Sequence, residues 1–248
     1  MFNIQKHLDW QVDSFFDFIY TMNAMKNIII IGASGNSLAI INSINRINSI
    51  NESFKIIGVI DDVVRESFLD FNIIGDIKTH SIRDDSFYIN GISSIKSFTA
   101  KKKIIMRFKK IGAKFLTVID PTAYISRDVK IGEGSYIGAN SYIGSFATVG
   151  EHCILLQNIA LNHHSAVSDF TSISSGVSIL GFCTIGNSCH ISANSSVNPH
   201  ISISNNVVIG TASNVTKNCE ANSIYLGNPA RFVKLINPLE YGDVENYE

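Results

Sequence analysis

The 248-residue chain has no apolar run approaching the roughly 18 residues of a membrane span. Nor does its start read as a secretory signal, because Asp9, Asp13 and Asp17 interrupt residues 1 to 24 and no small-residue cleavage site follows. It also lacks an excess of either charge: a net charge of −1 gives no general attraction to nucleic acid or to an anionic membrane, so neither is expected as a partner. Cysteine is scarce, with only Cys153, Cys183, Cys189 and Cys219. These are too dispersed for a metal site, so no metal is expected. The pattern reads as small core residues in a reducing, cytoplasmic compartment. What remains, 45% apolar and 17% charged, is a globular composition long enough for two domains.

What is present is a beat of six. Aliphatic residues recur at Ile125, Ile131, Ile137, Ile143, Val149, Leu155, Leu161, Val167, Ile173, Ile179, Ile185, Ile191, Val197, Ile203, Ile209 and Val215 without a miss. A repeat that short cannot bury its own apolar side chains, so successive turns must stack and share one core, as in a hexapeptide parallel β-helix with three hexads, or 18 residues, per coil. The position two before each anchor is small or β-branched (Ser135, Ser141, Ala147, Ser165, Thr171, Val177) and is expected to point inward. All four cysteines share that position. Cys153 and Cys189, like Cys183 and Cys219, then stand two coils or about 9.5 Å apart, too far for a disulfide. Glycine follows the anchor at Gly132, Gly138, Gly144, Gly150, Gly186 and Gly210, where a sharp corner is expected to require positive φ.

Before the solenoid, Asn27–Ile31 reads as a buried strand running into Gly32-Ala33-Ser34-Gly35-Asn36-Ser37. Leu38, Ala39, Ile41, Ile44 and Ile47 then continue at helical spacing, and Phe54–Ile60 is a second strand ending at Asp61-Asp62. This is a βαβ unit of the nucleotide-binding kind. It lacks the second glycine of a dinucleotide fingerprint. Carboxylates at the carboxyl edge of a parallel sheet can accept hydrogen bonds from ribose or a base N–H; alternatively Asp61 and Asp62 cap the following turn. Ser86–Ile92 reads as a third strand. Thr99–Ile111 reads as an amphipathic helix, with Ile104, Ile105, Phe108 and Ile111 inward and Lys101, Lys102, Lys103, Arg107, Lys109 and Lys110 largely outward as a solvated face. Phe115–Ile119 reads as the closing strand, and Pro121 marks the passage into the solenoid. The expected domains are an N-terminal extension over 1–25, with Leu8, Val12, Phe15, Phe16 and Ile19 at helical spacing, a Rossmann-like nucleotide-binding domain over 26–120, a β-helix over 121–222 and a tail over 223–248. Either Met1 or Met25 could be the native start.

Within the repeat, His163 and His164 fall near a coil corner, where side chains reach solvent or a neighbouring subunit. A histidine there can take a proton at neutral pH, or be an ordinary surface residue. His152, His190 and His200 have less polar company and read as structural. The Gly-Ala-Ser-Gly turn, the Asp61-Asp62 pair, Pro121, the hexads with Asn162-His163 and the closing Gly227-Asn228-Pro229-Ala230-Arg231 together resemble bacterial nucleotide-sugar acetyltransferases. These include UDP-4-amino-sugar N-acetyltransferases and sialic-acid O-acetyltransferases, and the resemblance covers about residues 26 to 234.

That resemblance implies a left-handed β-helix, a homotrimer with its active site between subunits, and acetyl-CoA as co-substrate for glycan biosynthesis. It implies His163 as general base beside Asn162 and His164, and Asp61 and Asp62 on the uracil or ribose. Gly32, Ala33 and Ser34, with Asn36 where the family usually has histidine, would line the phosphate turn. Ser174, Gly181 and Thr211 would meet the coenzyme, the Gly181 N–H would face the developing oxyanion, and Lys217, Arg231 and Lys234 would hold its phosphates or else be ordinary surface charges. The family often has an acidic residue where this chain has His164, and a second histidine where it has Ser172. The tautomer of His163 must then be set by Asp169, Asn162 or an adjacent subunit. The expected activity is N-acetylation of a nucleotide-linked amino sugar; the alternatives are O-acetylation of a sugar hydroxyl and a non-catalytic scaffold.

Overall fold

Ile28, Ile29, Ile30 and Ile31 are wholly buried, and a strand apolar on both faces belongs in the middle of a parallel sheet. In the computed structural model, which describes residues 25–64, 66–93 and 98–236, it does. Strand β1 (Lys26–Ile31) is followed by helix α1 (Gly35–Ile50), strand β2 (Phe54–Ile60), a small hairpin of β3 (Ser67–Phe68) and β4 (Phe71–Asn72), strand β5 (Ser86–Asn90), helix α2 (Phe98–Lys110) and strand β6 (Lys114–Phe115). The sheet order is β2-β1-β5-β6, all parallel. The expected helix within residues 1–24 lies outside the described residues.

Each sheet face takes one helix. Ile40, Ile41, Ile44 and Ile47 of α1 pack with Ile28, Ile30 and Ile89, while Ile104, Ile105 and Phe108 of α2 pack with Ile29, Ile31 and Tyr88. Three side chains depart from the expected faces, and a fourth closes the turn. Leu38 and Ile111 are exposed, and Ser37 turns inward to donate to the Gly32 carbonyl, closing the glycine turn. Lys101, expected outward, is wholly buried with its Nζ donating to Ser172 Oγ at 2.8 Å. Helix α2 is covered on that side by the solenoid, so the lysine has no route to solvent. Burial pulls its amine down to about 8.

The expected closing strand is divided. Lys114–Phe115 pairs with β5, but Val118–Ile119 pairs with Tyr136–Ile137, so the solenoid ladder begins one hexad before Ile125. Two-residue rungs then repeat in parallel at 18-residue intervals, as in Tyr136, Ile154, Ser172, His190 and Val208. Three faces result: a first face with the Tyr136 rungs, a second with the Tyr142 rungs and a third with the Thr148 rungs. Every anchor from Ile137 to Val215 is at most 3% exposed. The small residues two places earlier are inward too. Ser135 shows why serine fits there: its Oγ donates to the Gly150 carbonyl and accepts the Cys153 N–H, so no buried polar atom is left alone.

The glycine expectation fails for a physical reason. Positive φ falls two residues later, at Asn140, Phe146, His152, Asn158, His164, Phe170, Phe182 and their successors. The glycines after the anchors answer a different need, close approach of the next coil: a Cβ on Gly132 would lie 2.6 Å from the Gly150 carbonyl carbon, and one on Gly150 2.3 Å from Asp169 Oδ1. All four cysteines are free and buried. Cys219, however, bridges to Ile203, because the last coil is two residues short of the 18-residue register. Burial raises the Cys153 thiol to about 11 and those of Cys189 and Cys219 to about 12, so none is poised as a nucleophile.

The N-terminal domain sits on the first face and on the corners at both of its edges. Tyr136 Oη meets Ser43 Oγ at 2.9 Å, Arg46 pairs with the buried Asp120, and Lys109 pairs with Glu151. The buried His152 is sandwiched there between Phe115 and Phe170. The corner between second and third faces, which carries His163, lies on the opposite side of the prism.

Candidate active site

The glycine turn is shaped by what crowds it. Gly32 has φ +93°, and a Cβ there would strike Ile92 Cγ1 at 2.5 Å. Asp61 ties the turn to the end of β2. Its Oδ2 accepts the Ala33 N–H at 2.7 Å, and its Oδ1 accepts the N–H groups of Val63 and Val64 at 2.8 Å each. A carboxylate has about four acceptor positions, so backbone takes most of this one. Asp61 thus does the turn-capping work, and Asp62 lies beside it in the wall of the cavity. Ser34 Oγ donates to the Gly91 carbonyl and Asn36 Nδ2 to the Ser93 carbonyl, at 2.7 and 3.0 Å. Together Gly32, Ala33, Ser34, Gly35, Asn36 and the two aspartates line a cavity of about 360 Å³ at the N-terminus of α1. Free N–H groups and the helix dipole make such a place favourable for phosphate.

On the far corner of the solenoid, His163 and His164 are both exposed. The imidazole of His163 lies over Gly181, one coil on: a Cβ at 181 would meet its Cε1 at 2.7 Å and Nε2 at 2.9 Å. Only glycine leaves room for that ring. The Gly181 N–H has no acceptor among the described residues. At the equivalent place one corner on, Asn187 N–H is taken by Asn205 Oδ1, 18 residues later; for Gly181 the residue 18 later is Pro199, whose ring carries no acceptor.

Neither expected partner orients His163 within this chain. Asp169 Oδ1 accepts the Glu151 N–H on another corner, and Asn162 Nδ2 donates to the Ile179 carbonyl. His164 meets it instead, Nδ1 to Nδ1 at 3.2 Å. Phe146, His164, Phe182 and His200 stack up this corner at centroid spacings of 4.9, 4.7 and 5.0 Å. Their 18-residue interval was visible in the sequence as arithmetic, once the coil length was known.

Farther along the same corner, Lys217 stands 54 residues, or three coils, beyond His163, about 14 Å along the axis. It lines a second cavity of about 200 Å³ with Asn218, Tyr225, Ala230, Arg231 and Phe232. The sequence reading missed the two aromatic walls. Two cations between aromatic walls suit the phosphates and base of a coenzyme. Lys234 lies in the antiparallel strand that also carries Arg231. Ser174 and Thr211, in contrast, follow first-face rungs and lie on the corner between first and second faces, apart from Gly181.

Residues 117–145 and 128–158 match the family model for the bacterial transferase hexapeptide (six repeats). Over those residues the solenoid resembles bacterial transferase hexapeptide repeats. No curated protein matches the chain in sequence. Among solved structures, the acetyltransferase domain of PglB from Neisseria gonorrhoeae, in complex with acetyl coenzyme A, superposes with a TM-score of 0.76 at 19% identity, over 85% of this chain and 100% of that one. A perosamine N-acetyltransferase from Caulobacter crescentus, in complex with CoA and GDP-perosamine, gives 0.75 at 19% identity over 85% and 98%. WeeI from Acinetobacter baumannii gives 0.62 at 20% over 85% and 100%. The chain therefore has their two-domain fold, a Rossmann-like α/β domain followed by a left-handed hexapeptide β-helix. No group of three or more His, Cys, Asp or Glu among the described residues is arranged to hold a metal ion, and no described helix is long and apolar enough to cross a membrane.

Proposed function

We propose that this hexapeptide protein transfers an acetyl group from acetyl-CoA to the amine of a nucleotide-linked amino sugar. One observation carries the reading: an exposed imidazole packed on a glycine whose N–H has no acceptor among the described residues, on a corner that leads to Lys217 and Arg231. A base and an N–H donor side by side are what acyl transfer needs, one to remove the amine proton and one to face the oxygen that gains charge. Asn162, bonded to the Ile179 carbonyl, holds the corner backbone beneath His163. The roughly 14 Å to the cationic cavity gives an extended coenzyme room to reach His163 with its thioester.

The nucleotide sugar belongs at the glycine turn, its phosphates at the first N–H groups of α1 and its ribose or base at Asp62, with Asp61 keeping the turn in shape. That cavity and His163 lie on opposite sides of one solenoid. Ser174 and Thr211 lie one corner away from Gly181. Both separations favour a site shared between subunits, in our reading of a homotrimer, in which one subunit's glycine turn faces the next subunit's His163. The solved structures with this fold include one bound to CoA and GDP-perosamine and one bound to acetyl coenzyme A, which supports an amine acceptor and acetyl-CoA as donor. The test is acetyl-CoA consumption with UDP-, dTDP- and GDP-linked amino sugars, with the matching hydroxyl sugars as controls.

A further inference from the structure

Resting on the reading of His163 as general base, the geometry points to His164 as its positioning residue: His164 Nδ1 accepts the Nδ1–H of His163, which leaves the Nε2 lone pair of His163 open to the amine. The two Nδ1 atoms are 3.2 Å apart. A hydrogen bond between them needs one proton, on one of the two nitrogens. Were that proton on His164, the neutral His163 ring would carry its own on Nε2. That nitrogen would then have no lone pair left to take the amine proton. With the proton on His163 Nδ1, Nε2 keeps its lone pair and is the base.

His164 can do this because its own ring is fixed. It lies between Phe146 and Phe182, 4.9 and 4.7 Å from their centroids, and Phe182 is stacked in turn on His200. An aromatic clamp thus supplies the orientation that a carboxylate would otherwise give by charge. In the transfer, the amine nitrogen bonds to the acetyl carbon, the carbon–sulfur bond breaks, the thiolate leaves and the amine proton goes to His163 Nε2. His163 is then an imidazolium still donating its Nδ1–H to His164. Returning the Nε2 proton to the thiolate restores the resting pair.

Two variants separate this role from mere packing. Position 164 has φ +59°, and the equivalent positions 146 and 182 hold Phe at φ +61° and +60°, so His164→Phe fits the corner and keeps the stack but has no acceptor. Asn occupies positive-φ corners at 140, 158, 194 and 206, and its Oδ1 stands where the histidine Nδ1 was, so His164→Asn keeps the acceptor and loses the stack. Partners that orient an imidazole typically contribute about 10- to 100-fold. His164→Phe is expected to lower kcat by about that factor with KM unchanged, and His164→Asn, which keeps the acceptor without the clamp, to recover part of that loss. Nitrogen-15 NMR of the free protein at about pH 8.5, above the ordinary imidazole range, should show His163 as the Nδ1–H tautomer in wild type and His164→Asn, and shifted in His164→Phe. The proposal is overturned by an Nε2–H tautomer in wild type, by an unchanged tautomer in His164→Phe, or by the reverse order of activities. If wild type acetylates no amino sugar, the acetyltransferase reading fails; the tautomer shift still decides whether His164 sets the proton of His163.

Discussion

Gly181→Ala tests the link between coil geometry and chemistry at a single atom. The added Cβ would stand 2.7 Å from Cε1 and 2.9 Å from Nε2 of His163. Carbon atoms in contact prefer about 3.5 to 4.0 Å, so the ring must retreat by about 1 Å. The obstacle is the far end of an exposed side chain, not backbone, and the retreat costs little stability. For catalysis, a 1 Å misplacement of a reacting group costs about 100-fold. Gly181→Ala should therefore lower kcat by about two orders of magnitude in a coupled CoA-release assay, with thermal unfolding unchanged and nucleotide-sugar affinity intact. Gly150→Ala is the matched control. There the Cβ meets Asp169 Oδ1 at 2.3 Å and the Asp169 backbone nitrogen at 2.7 Å. Overpacking of that kind costs about 1 to 3 kcal/mol, roughly 2 to 12 °C in a chain this size, while each folded molecule keeps its activity. A Gly181→Ala enzyme with near-normal kcat refutes the placement of His163 as the working base.

Three more outcomes are expected. His163→Ala should reduce turnover by about 10²- to 10⁴-fold, the usual contribution of a general base, with nucleotide-sugar affinity by calorimetry unchanged. Asp61→Ala removes the acceptor of three backbone N–H groups; it should destabilise the protein by about 1 to 3 kcal/mol and weaken nucleotide-sugar binding, while acetyl-CoA still binds. Calorimetry with unaltered nucleotide affinity would contradict it. Burial lowers the His152 imidazole to about 3, and neither ring nitrogen has a partner. As pH falls below the ordinary value of about 6.5 the unfolded chain takes up the proton first, so folded stability declines from there toward pH 3. The Phe found at the equivalent corner of Phe170 makes His152→Phe compatible with the fold. Melting curves of that variant should lose part of the acid sensitivity, on the order of 3 kcal/mol at pH 4; an unchanged pH profile would rule this out.

The solenoid was legible because a six-residue beat has one structural meaning, and each anchor it named from Ile137 to Val215 is buried. The βαβ unit was legible for a similar reason, as four consecutive isoleucines before a glycine turn are a central strand. What period alone could not show was which force acts at each corner. Glycine after the anchor was read as a φ requirement, but it relieves contact between coils, and the strained φ is borne by Phe, His and Asn. Lys101 looked solvated because a helical pattern records one helix, and its burial comes from a solenoid face more than 70 residues away. Asp61 read either as a ligand reader or as a turn cap because sequence places it at the strand edge; its three N–H partners, which depend on the fold of the turn, are those of a cap. His163 was singled out correctly as exposed. Its contact with His164 required side-chain positions, since adjacent residues usually diverge.

The most direct test of the account is CoA release measured with the full panel of nucleotide-linked amino sugars, wild type against His163→Ala. The account predicts that at least one amino sugar yields CoA and its N-acetyl product in equal amounts, and that His163→Ala loses at least 100-fold of that rate. Release with no member of the panel, or release that persists without the imidazole, would contradict it.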